Sequence, residues 1–280
     1  MVAILLAALC AATYGVADYC GGRAARSLAS TIVTLIGQAT SLVLVVGGVI
    51  VLGTPIASAH DLWWGAAGGA AGGIALIAFY TALSRGAMTV VAPTTAIVSA
   101  VFPVIVGLWL GERPSGTALV GIVVACLAVA LVSGVIGTRH QHTRVATIVL
   151  AALAGIGFGF IFIAFARTAD NSGMWPLVAA RTASLPVVGL VVGVTRPGRG
   201  AIRKVIWIVI ASGVLDMAAN LFYLEASHRG LLSIVAVISS MYPVSTVCLA
   251  FGLDHERVSR TQAAGLVCAA TALALVSLGS

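Results

Sequence analysis

The chain has 280 residues, of which 60% are hydrophobic and only 8% are charged. A soluble domain carries about a quarter charged residues, so this composition excludes a water-soluble globular protein. In a soluble protein the net charge of +7 would indicate a nucleic-acid partner, but here the Lys and Arg residues lie in short breaks between apolar runs, which is typical of a membrane protein. We therefore expect a lipid bilayer as the surroundings and no nucleic acid as a partner.

Ten apolar runs follow one another along the chain. Each is long enough to cross about 30 Å of hydrocarbon as a helix of roughly 20 residues. Because backbone groups in lipid have to be satisfied within their own segment, each run predicts an α-helix. The predicted spans are Val2–Tyr19, Leu28–Leu52, Leu62–Leu83, Met88–Leu110, Thr117–Ile136, Ala146–Ala166, Trp175–Val194, Val205–Ser227, Leu231–Leu253 and Gln262–Leu278.

The last predicted helix has a clear start signal. Ser259 and Gln262 are three residues apart and directly precede an apolar run, which is a capping-box pattern. We expect the side chain of each to bond the backbone amide of the other.

The two halves of the chain repeat each other. Matches between polar and glycine residues in one register indicate duplication of a five-helix unit, with repeats at residues 1–136 and 146–280 and a polar linker at 137–145. Because five is odd, the second repeat enters the membrane from the opposite side, as in many transporters. The predicted fold is an all-α integral membrane protein whose ten transmembrane helices form two inverted five-helix repeats. A shift of 144 residues pairs Ala128–Ser133 with Ala272–Ser277, Glu112-Arg113 with Glu256-Arg257, and Gly121 with Gly265.

The end of each half carries a recurring pattern. Tyr242-Pro243 precedes Glu256-Arg257, and Pro103 precedes Glu112-Arg113, while the first helix contains Tyr14-Gly15. These features resemble the EamA-domain family of the drug/metabolite transporter superfamily. The resemblance implies a ten-helix secondary transporter of metabolites, amino acids or drugs, often an exporter. Pro103 lies about one turn closer to its glutamate than Pro243 does, so we expect the two helices to kink differently.

Asp216 is the leading candidate for a functional residue. An ionisable group inside a spanning helix costs about 2.5–3.5 kcal/mol on insertion scales, so it is a functional hypothesis by default. Asn220 and Tyr223 follow Asp216 at i+4 and i+7, which places all three on one face of the predicted eighth helix. We interpret this polar stripe as part of a substrate-binding site in which Asp216 is also the proton-coupling candidate. A structural hydrogen bond to a neighbouring helix is the alternative.

Four further residues complete the predicted substrate-binding set. Arg181 lies midway along the predicted seventh helix, where it would neutralise Asp216, bind an anionic group of the solute, or form a purely structural ion pair. A shift of 143 residues places Gln38 at the equivalent depth of the second helix. Tyr14 and Tyr242 are expected to shape the cavity, although packing explains each of them equally well.

Several other polar residues receive a different interpretation. Glu112, Arg113, Glu256 and Arg257 lie in turns, and we interpret them as gating or fold elements rather than solute ligands. Three more polar residues lie near the ends of predicted helices, and we give them no role in binding. Tyr80 either lines a cavity or packs against neighbouring helices. The residues assigned to helix ends are Asp18, Arg167 and Glu225.

Glycines recur at helical spacing in the predicted third and sixth helices. Rows of small residues let helix backbones approach closely in lipid, so tight packing is the first interpretation, with sliding during transport as a second. The rows are Gly65, Gly69 and Gly73 with Gly68 and Gly72 beside them, and Gly155, Gly157 and Gly159.

No metal and no cofactor are expected. The five cysteines are scattered without a CxxC pair, and His140 and His142 are interpreted as a solvated loop. The sequence has no nucleotide-binding motif, so transport would be secondary and independent of ATP. A multi-pass protein of a bacterial inner membrane, acting as a monomer or homodimer on a small-molecule substrate, is the leading interpretation. A non-transporting structural or regulatory subunit is the alternative, and an intramembrane enzyme is disfavoured because no catalytic arrangement of residues appears.

Two signals disagree about membrane orientation. Eleven of the 15 Lys and Arg residues lie in the breaks after odd-numbered helices, and three lie on the opposite side. The positive-inside rule therefore places both termini outside. The family resemblance implies that the termini are inside, and the sequence leaves the two alternatives open.

Overall fold

A computed structural model of the chain describes residues 1–25, 27–85, 88–132, 144–198, 202–253 and 259–279. Every regular element in these ranges is an α-helix, in agreement with the predicted all-α fold. The helices are α1 (Val2–Ala25), α2 (Ser30–Leu52), α3 (Ala59–Arg85), α4 (Met88–Trp109), α5 (Gly116–Val132), α6 (Val145–Ala166), α7 (Trp175–Thr195), α8 (Ile202–Ser227), α9 (Leu232–Ser239), α10 (Tyr242–Leu253) and α11 (Arg260–Leu278).

The described helices are long and apolar enough to form a multi-pass membrane protein. Eight segments reach the length of a membrane span, and Leu232–Leu249, which joins α9 to most of α10, counts as one of them. Thr94–Trp109 and Gly116–Val132 are two shorter apolar helices. These ten segments are compatible with the predicted count of ten.

The predicted ninth helix is wrong in one respect, because it is broken at Ser240 and Met241 into α9 and α10. Pro243 has no amide hydrogen, so the carbonyl of Ser239 four residues earlier loses its helical donor. The amide of Ser240 bonds the carbonyl of Ala236, four residues earlier, at 2.9 Å. The amide of Met241 bonds the carbonyl of Ile238, only three residues earlier, at 3.0 Å. The corresponding helix of the first half, α4, continues through Pro103. The expected difference between the two proline-containing helices is therefore found.

The start of α11 confirms the predicted capping box. The Ser259 hydroxyl accepts from the amide of Gln262 at 3.2 Å, and the Gln262 side chain accepts from the amide of Ser259 at 3.0 Å. A helix start leaves four backbone amides without a helical acceptor, and these two bonds satisfy those of Ser259 and Gln262.

The glycine rows bring helices into close packing, as predicted. A Cβ built on Gly65 or Gly69 would overlap the backbone of α7 at Pro176 or Ala180, because the backbones of α3 and α7 are nearly in contact there. On the neighbouring face, Gly68 approaches the side chain of Ala164 in α6. The glycines of α6 that approach α4 and α3 are Gly155, Gly157 and Gly159.

Helices of the two halves pack against each other throughout the bundle. Helix α1 packs against α8, α3 packs against α6 and α7, and α5 packs against α11. The core between α6, α8 and α9 contains fully buried side chains, among them Tyr223, Phe165 and Ile238. The polar residues of the candidate site lie beside this core, where α2, α7 and α8 meet.

Candidate functional site

Arg181 and Asp216 form an ion pair between α7 and α8. Arg181 Nη2 lies 2.5 Å from Asp216 Oδ2. Both residues are far from the ends of their helices, so the pair lies deep within the bundle. The side chains are 14% and 34% exposed respectively, so the carboxylate is not fully enclosed by the core.

Helix α2 adds neutral hydrogen bonds to the ion pair. The Ser41 hydroxyl donates to the carbonyl of Gly213 at 2.8 Å and lies 3.3 Å from Asp216 Oδ2. A Cβ on Gly213 would meet the carbonyl of Gly37 at 2.6 Å, so the close approach of α8 to α2 brings Ser41 within reach. Sequence reasoning missed Ser41, because a single serine in an apolar run carries no distinctive signal.

Gln38 bonds a serine next to the ion pair rather than the ion pair itself. Ser184 donates from its hydroxyl to Gln38 Oε1 at 2.8 Å. Ser184 lies one turn after Arg181 on α7, so Gln38 is close in depth to the guanidinium, as the sequence repeat implied. Its role in binding a solute stays a prediction.

Tyr14 and Tyr242 meet between α1 and α10. Their ring centroids are 6.3 Å apart with an interplanar angle of 63°, which is an edge-to-face arrangement. Gly15 makes this approach possible, because a Cβ there would overlap Ser245 and the Tyr242 carbonyl.

Asn220 and Tyr223 share a face of α8 with Asp216 but use their polar groups within the bundle. Asn220 Nδ2 donates to the carbonyl of Asp216 at 2.7 Å. Tyr223 is fully buried, donates from its hydroxyl to the carbonyl of Phe162 at 3.0 Å and stacks on the ring of Phe162 at a centroid distance of 4.4 Å. In this conformation Asn220 bonds the backbone of Asp216 and Tyr223 bonds α6, and the assignment of both as solute ligands stays a prediction.

Glu112 binds the start of α9 in the other half of the chain. Glu112 Oε1 accepts from the amide of Leu232 at 2.6 Å, and Oε2 accepts from the amide of Ser233 at 2.9 Å. A carboxylate at a helix start satisfies unpaired amides and faces the positive end of the helix dipole. Arg113 is exposed beside it. Of the predicted turn residues, Glu256 and Arg257 lie outside the described residues, as does the side chain of Tyr80.

A second carboxylate links the halves at the same end of the bundle. This end, which we call the capped end, contains residues 53–58, 110–115, 167–174 and 228–231. Asp61 is 2% exposed and accepts from the amide of Ala169 at 2.8 Å and from the Ser58 hydroxyl at 2.7 Å. Trp175 Nε1 also donates to the carbonyl of Thr54 at 3.3 Å. Asp61 was missed because it precedes the predicted third helix, although Ser58 three residues earlier is a capping signal.

Comparison with known proteins agrees with this architecture. Residues 145–278 match the model of the EamA-like transporter family. The second half of the chain is an EamA-like domain. The resemblance read from the turn and proline pattern is thereby confirmed for this half, and the EamA family is one of membrane transporters and not of enzymes.

Solved structures share the fold of this protein. In all, 29 chains of solved structures match it. One crystal structure superposes with a TM-score of 0.78 at 16% sequence identity, covering 99% of this chain and 95% of its own. At that identity the likeness concerns the fold alone. No curated protein matches the sequence.

His228 and Arg167 lie at the capped end of the bundle. His228 Nε2 lies 2.9 Å from the Thr168 hydroxyl, and the Arg167 guanidinium lies 5.8 Å from the centre of the Trp64 ring. Partial burial lowers the pKa of His228 below its usual 6.5, against the opposing effect of Asp170 and Glu225. Sequence reasoning gave Arg167 a helix-end position and did not single out His228.

A separate cavity of about 300 Å³ lies between α1, α9, α10 and α11. It is almost entirely apolar and contains no charged side chain, so we do not assign the candidate site to it. The residues that line it include Ala8, Met241, Cys248 and Leu273.

Proposed function

We propose that this EamA-like protein is a secondary active transporter of a small solute, most simply an exporter of a metabolite, amino acid or drug, that works by alternating access. The observation that carries the proposal is the Arg181–Asp216 pair, a partly exposed charged group deep inside an apolar bundle. Such groups cost free energy in a membrane, and they mark ion and solute pathways. Family membership of the second half supports the same function.

We further propose that the halves are inverted repeats that exchange two conformations around this site. Three close approaches between helices support the repeat, because each has a counterpart in which the equivalent residues of the two halves change places. Alternating access in such folds is a rocking of one repeat against the other. The approaches related by shifts of 143 or 144 residues are Gly121–Val276 with Gly265–Val132, Gly69–Ala180 with Gly213–Gly37, and Gly15–Tyr242 with Gly159–Ser99.

The capped end is the proposed gate. Glu112 and Asp61, both in the first half, accept hydrogen bonds from amides in the second half. Opening this end separates carboxylates from amides, so water has to replace these bonds. In this proposal, the conformation described here is the one that is closed at the capped end.

Proton coupling through Asp216 is the proposed driving mechanism. A proton on Asp216 removes the charge that holds Arg181, so protonation would release the guanidinium and change the charge of the cavity. Asp216→Asn in proteoliposomes should abolish the dependence of transport on a pH gradient. Unchanged transport with unchanged pH dependence in this variant would refute the coupling.

Counterflow with purified protein in liposomes tests the transport function itself. Pools of radiolabelled amino acids and small metabolites are offered to the wild type, to the site variant Asp216→Asn and to the matched control Glu225→Gln, which changes an exposed i,i+4 pair with Arg229. We expect saturable exchange that only Asp216→Asn reduces. Cysteines placed beside Asn220 separate a transporter from a non-transporting subunit, because labelling from neither side of the membrane would favour the subunit. We place the protein in a bacterial inner membrane as a monomer or homodimer.

A further inference from the structure

Contacts between helices establish which segments share the capped end. A Cβ on Gly230 would meet the side chain of Ala3 at 2.7 Å, so the start of α1 lies there. The Ser115 hydroxyl donates to the carbonyl of Gly279 at 2.6 Å, so the end of α11 lies there as well. Because successive spans cross the bundle in opposite directions, the turns after α1, α3, α5, α7 and α10 lie at the other end, which we call the basic end.

The two ends differ sharply in charge. In and beside the capped end, three cations accompany four carboxylates, so this end is close to neutral. In the turns of the basic end, eleven cations accompany only the two carboxylates of Asp254 and Glu256. The charged residues of the capped end are Arg113, Arg167, Arg229, Asp61, Glu112, Asp170 and Glu225.

The charge of the basic end is available to a partner outside the chain. Seven of its cations lie in the described ranges, and all seven are exposed. Apart from Arg23, which bonds the Tyr19 hydroxyl, none of their side chains is bonded or paired within those ranges. At the capped end, by contrast, Arg229 pairs with Glu225. The seven cations are Arg23, Arg85, Arg144, Arg196, Arg203, Lys204 and Arg260.

Three of these cations form one patch. A small apolar cluster, which includes Ala24 of α1 and Val205 of α8, joins the end of α1 to the start of α8. Arg23 immediately precedes Ala24, and Arg203 and Lys204 immediately precede Val205. The three cations therefore belong to adjoining helix ends.

The cations of the basic end border the surface that faces lipid. Trp207 is largely exposed on α8, about one turn after Arg203, and tryptophan prefers the level of the lipid headgroups. Arg196 directly follows α7, whose last turn exposes Val194. Headgroups lie at this level on every side of the bundle, so they reach all the cations at once, which a soluble polyanion does not.

We propose that the basic end binds the anionic headgroups of the cytoplasmic leaflet, and that the capped end faces the opposite side of the membrane. Juxtamembrane Lys and Arg residues are attracted to the negative surface of that leaflet. The same residues are in excess on the cytoplasmic side of membrane proteins. For the orientation that the sequence leaves open, this assignment follows the distribution of charge and not the family resemblance.

This orientation assigns a side to the conformation described here. With the proposed gate outside, this conformation is closed towards the outside and receives solute from the cytoplasm, as an exporter requires. That consequence rests on the proposed transport function, whereas lipid binding and orientation are measurable without transport.

Cysteine labelling in intact cells measures the orientation. The probes are Asn171→Cys at the capped end and Gly198→Cys at the basic end, each in a background whose native cysteines are replaced. Both positions are exposed, and a Cβ on Gly198 would meet no atom within 4 Å. A membrane-impermeant maleimide should label Asn171→Cys in intact cells and Gly198→Cys only after permeabilisation. Any other pattern of labelling overturns the orientation.

Thermal unfolding in detergent measures lipid binding as a dose-dependent rise in Tm. Phosphatidylglycerol is compared with phosphatidylcholine of the same acyl chains, with sodium phosphate as a free anion and with heparin as a soluble polyanion. The variants are the double substitution Arg203→Gln/Lys204→Gln at the basic end and the control Arg113→Gln, which removes an exposed cation of the capped end.

We expect phosphatidylglycerol to stabilise the wild-type protein more than the other three additives do. The double substitution should weaken its apparent affinity at least about fivefold, because each cation near an anionic surface contributes about that factor, while Arg113→Gln retains it. Equal effects of the two lipids, stronger stabilisation by phosphate or heparin, an affinity that the double substitution leaves unchanged, or an equal loss in Arg113→Gln overturns the inference.

The wild-type comparison of additives stands even if the doubly substituted protein does not fold, and Arg260→Gln on α11 then tests the same surface. Lipid binding and labelling as expected, without counterflow of any solute, would uphold this inference and count against the transport function. Counterflow together with the reverse labelling pattern would do the opposite.

Discussion

The carboxylate of Glu112 holds the start of α9, and its replacement by the neutral isostere glutamine is the sharpest test of the proposed gate. Glu112 accepts amides of Leu232 and Ser233 at 2.6 and 2.9 Å, and Gln keeps the size but loses one acceptor oxygen and the charge. A hydrogen bond to a charged group contributes about 1.5–3 kcal/mol, against about 0.5–1.5 for a neutral one. The charge at the helix start adds about 0.3–1 kcal/mol. We therefore expect Glu112→Gln to weaken this contact by about 1–3 kcal/mol, which is a factor of about 5–150 in the closed-to-open ratio.

Cysteine labelling at the capped end measures this shift. Ser233 is fully buried, so a Ser233→Cys probe, in a background whose native cysteines are replaced, becomes reactive only when α9 leaves Glu112. A membrane-impermeant maleimide should label this probe about 5–150 times faster in Glu112→Gln, while the control Glu225→Gln changes nothing. Equal labelling rates with Glu112 and with Glu112→Gln, at a normal Tm, would show that the carboxylate does not hold the gate closed.

Three further variants test the packing, the broken helix and the pH response. Gly69→Val should lower Tm strongly or prevent folding, because a Cβ at this position overlaps the Ala180 backbone. Gly189→Ala should be tolerated, because a Cβ there meets no atom within 4 Å. Differential scanning fluorimetry compares the two variants, and equal Tm values would contradict the close approach of α3 to α7. Pro243→Ala restores an amide donor for the Ser239 carbonyl. Amide hydrogen exchange around the break between α9 and α10, at residues 240–243, should therefore slow, and counterflow should fall. Unaltered hydrogen exchange would show that the proline does not cause the break. Because the pKa of His228 is lowered in the folded state, the unfolded state binds more protons as pH falls below 6.5, so stability should decline there. His228→Gln should reduce that decline, which a Tm profile from about pH 5 to pH 8 measures. Identical slopes in wild type and His228→Gln would contradict the assignment.

Helix positions and close packing were predictable because they depend on patterns that repeat. Apolar runs determine the spans, and the spacing of Gly65 and Gly69 determines which face meets a neighbour, since only a missing side chain lets backbones approach so closely. The break at Ser240 was not predicted, although Pro243 was noted, because a proline also fits within an unbroken helix, as Pro103 does in α4. Whether the surrounding residues re-satisfy the lost bond depends on tertiary contacts.

The candidate site was predictable only where the membrane makes a residue costly. Asp216 and Arg181 stand out because charge at that depth requires a reason, and the structure places them 2.5 Å apart. Ser41 and Asp61 were missed because a serine in an apolar run, or an aspartate at a helix start, is common without function. Tyr223 shares a helical face with Asp216 but lies about two turns further along α8, where its neighbours differ, and there its hydroxyl bonds Phe162 of α6.

The distribution of bonds between the halves indicates where the cost of the conformational change lies. The Arg181–Asp216 pair joins α7 and α8, both in the second half, so it moves with that half and does not resist rocking. Near it, the crossing bonds come from the Ser41 hydroxyl, which donates to the Gly213 carbonyl and lies 3.3 Å from Asp216 Oδ2, and from Ser184, which donates to Gln38. Bonds between neutral groups contribute about 0.5–1.5 kcal/mol each. At the capped end the crossing bonds instead involve the carboxylates of Glu112 and Asp61, which form stronger hydrogen bonds. The capped end, with three such bonds between the halves against at most one near the ion pair, therefore contributes more of the cost of opening, so variants at Glu112 should alter the rate of exchange.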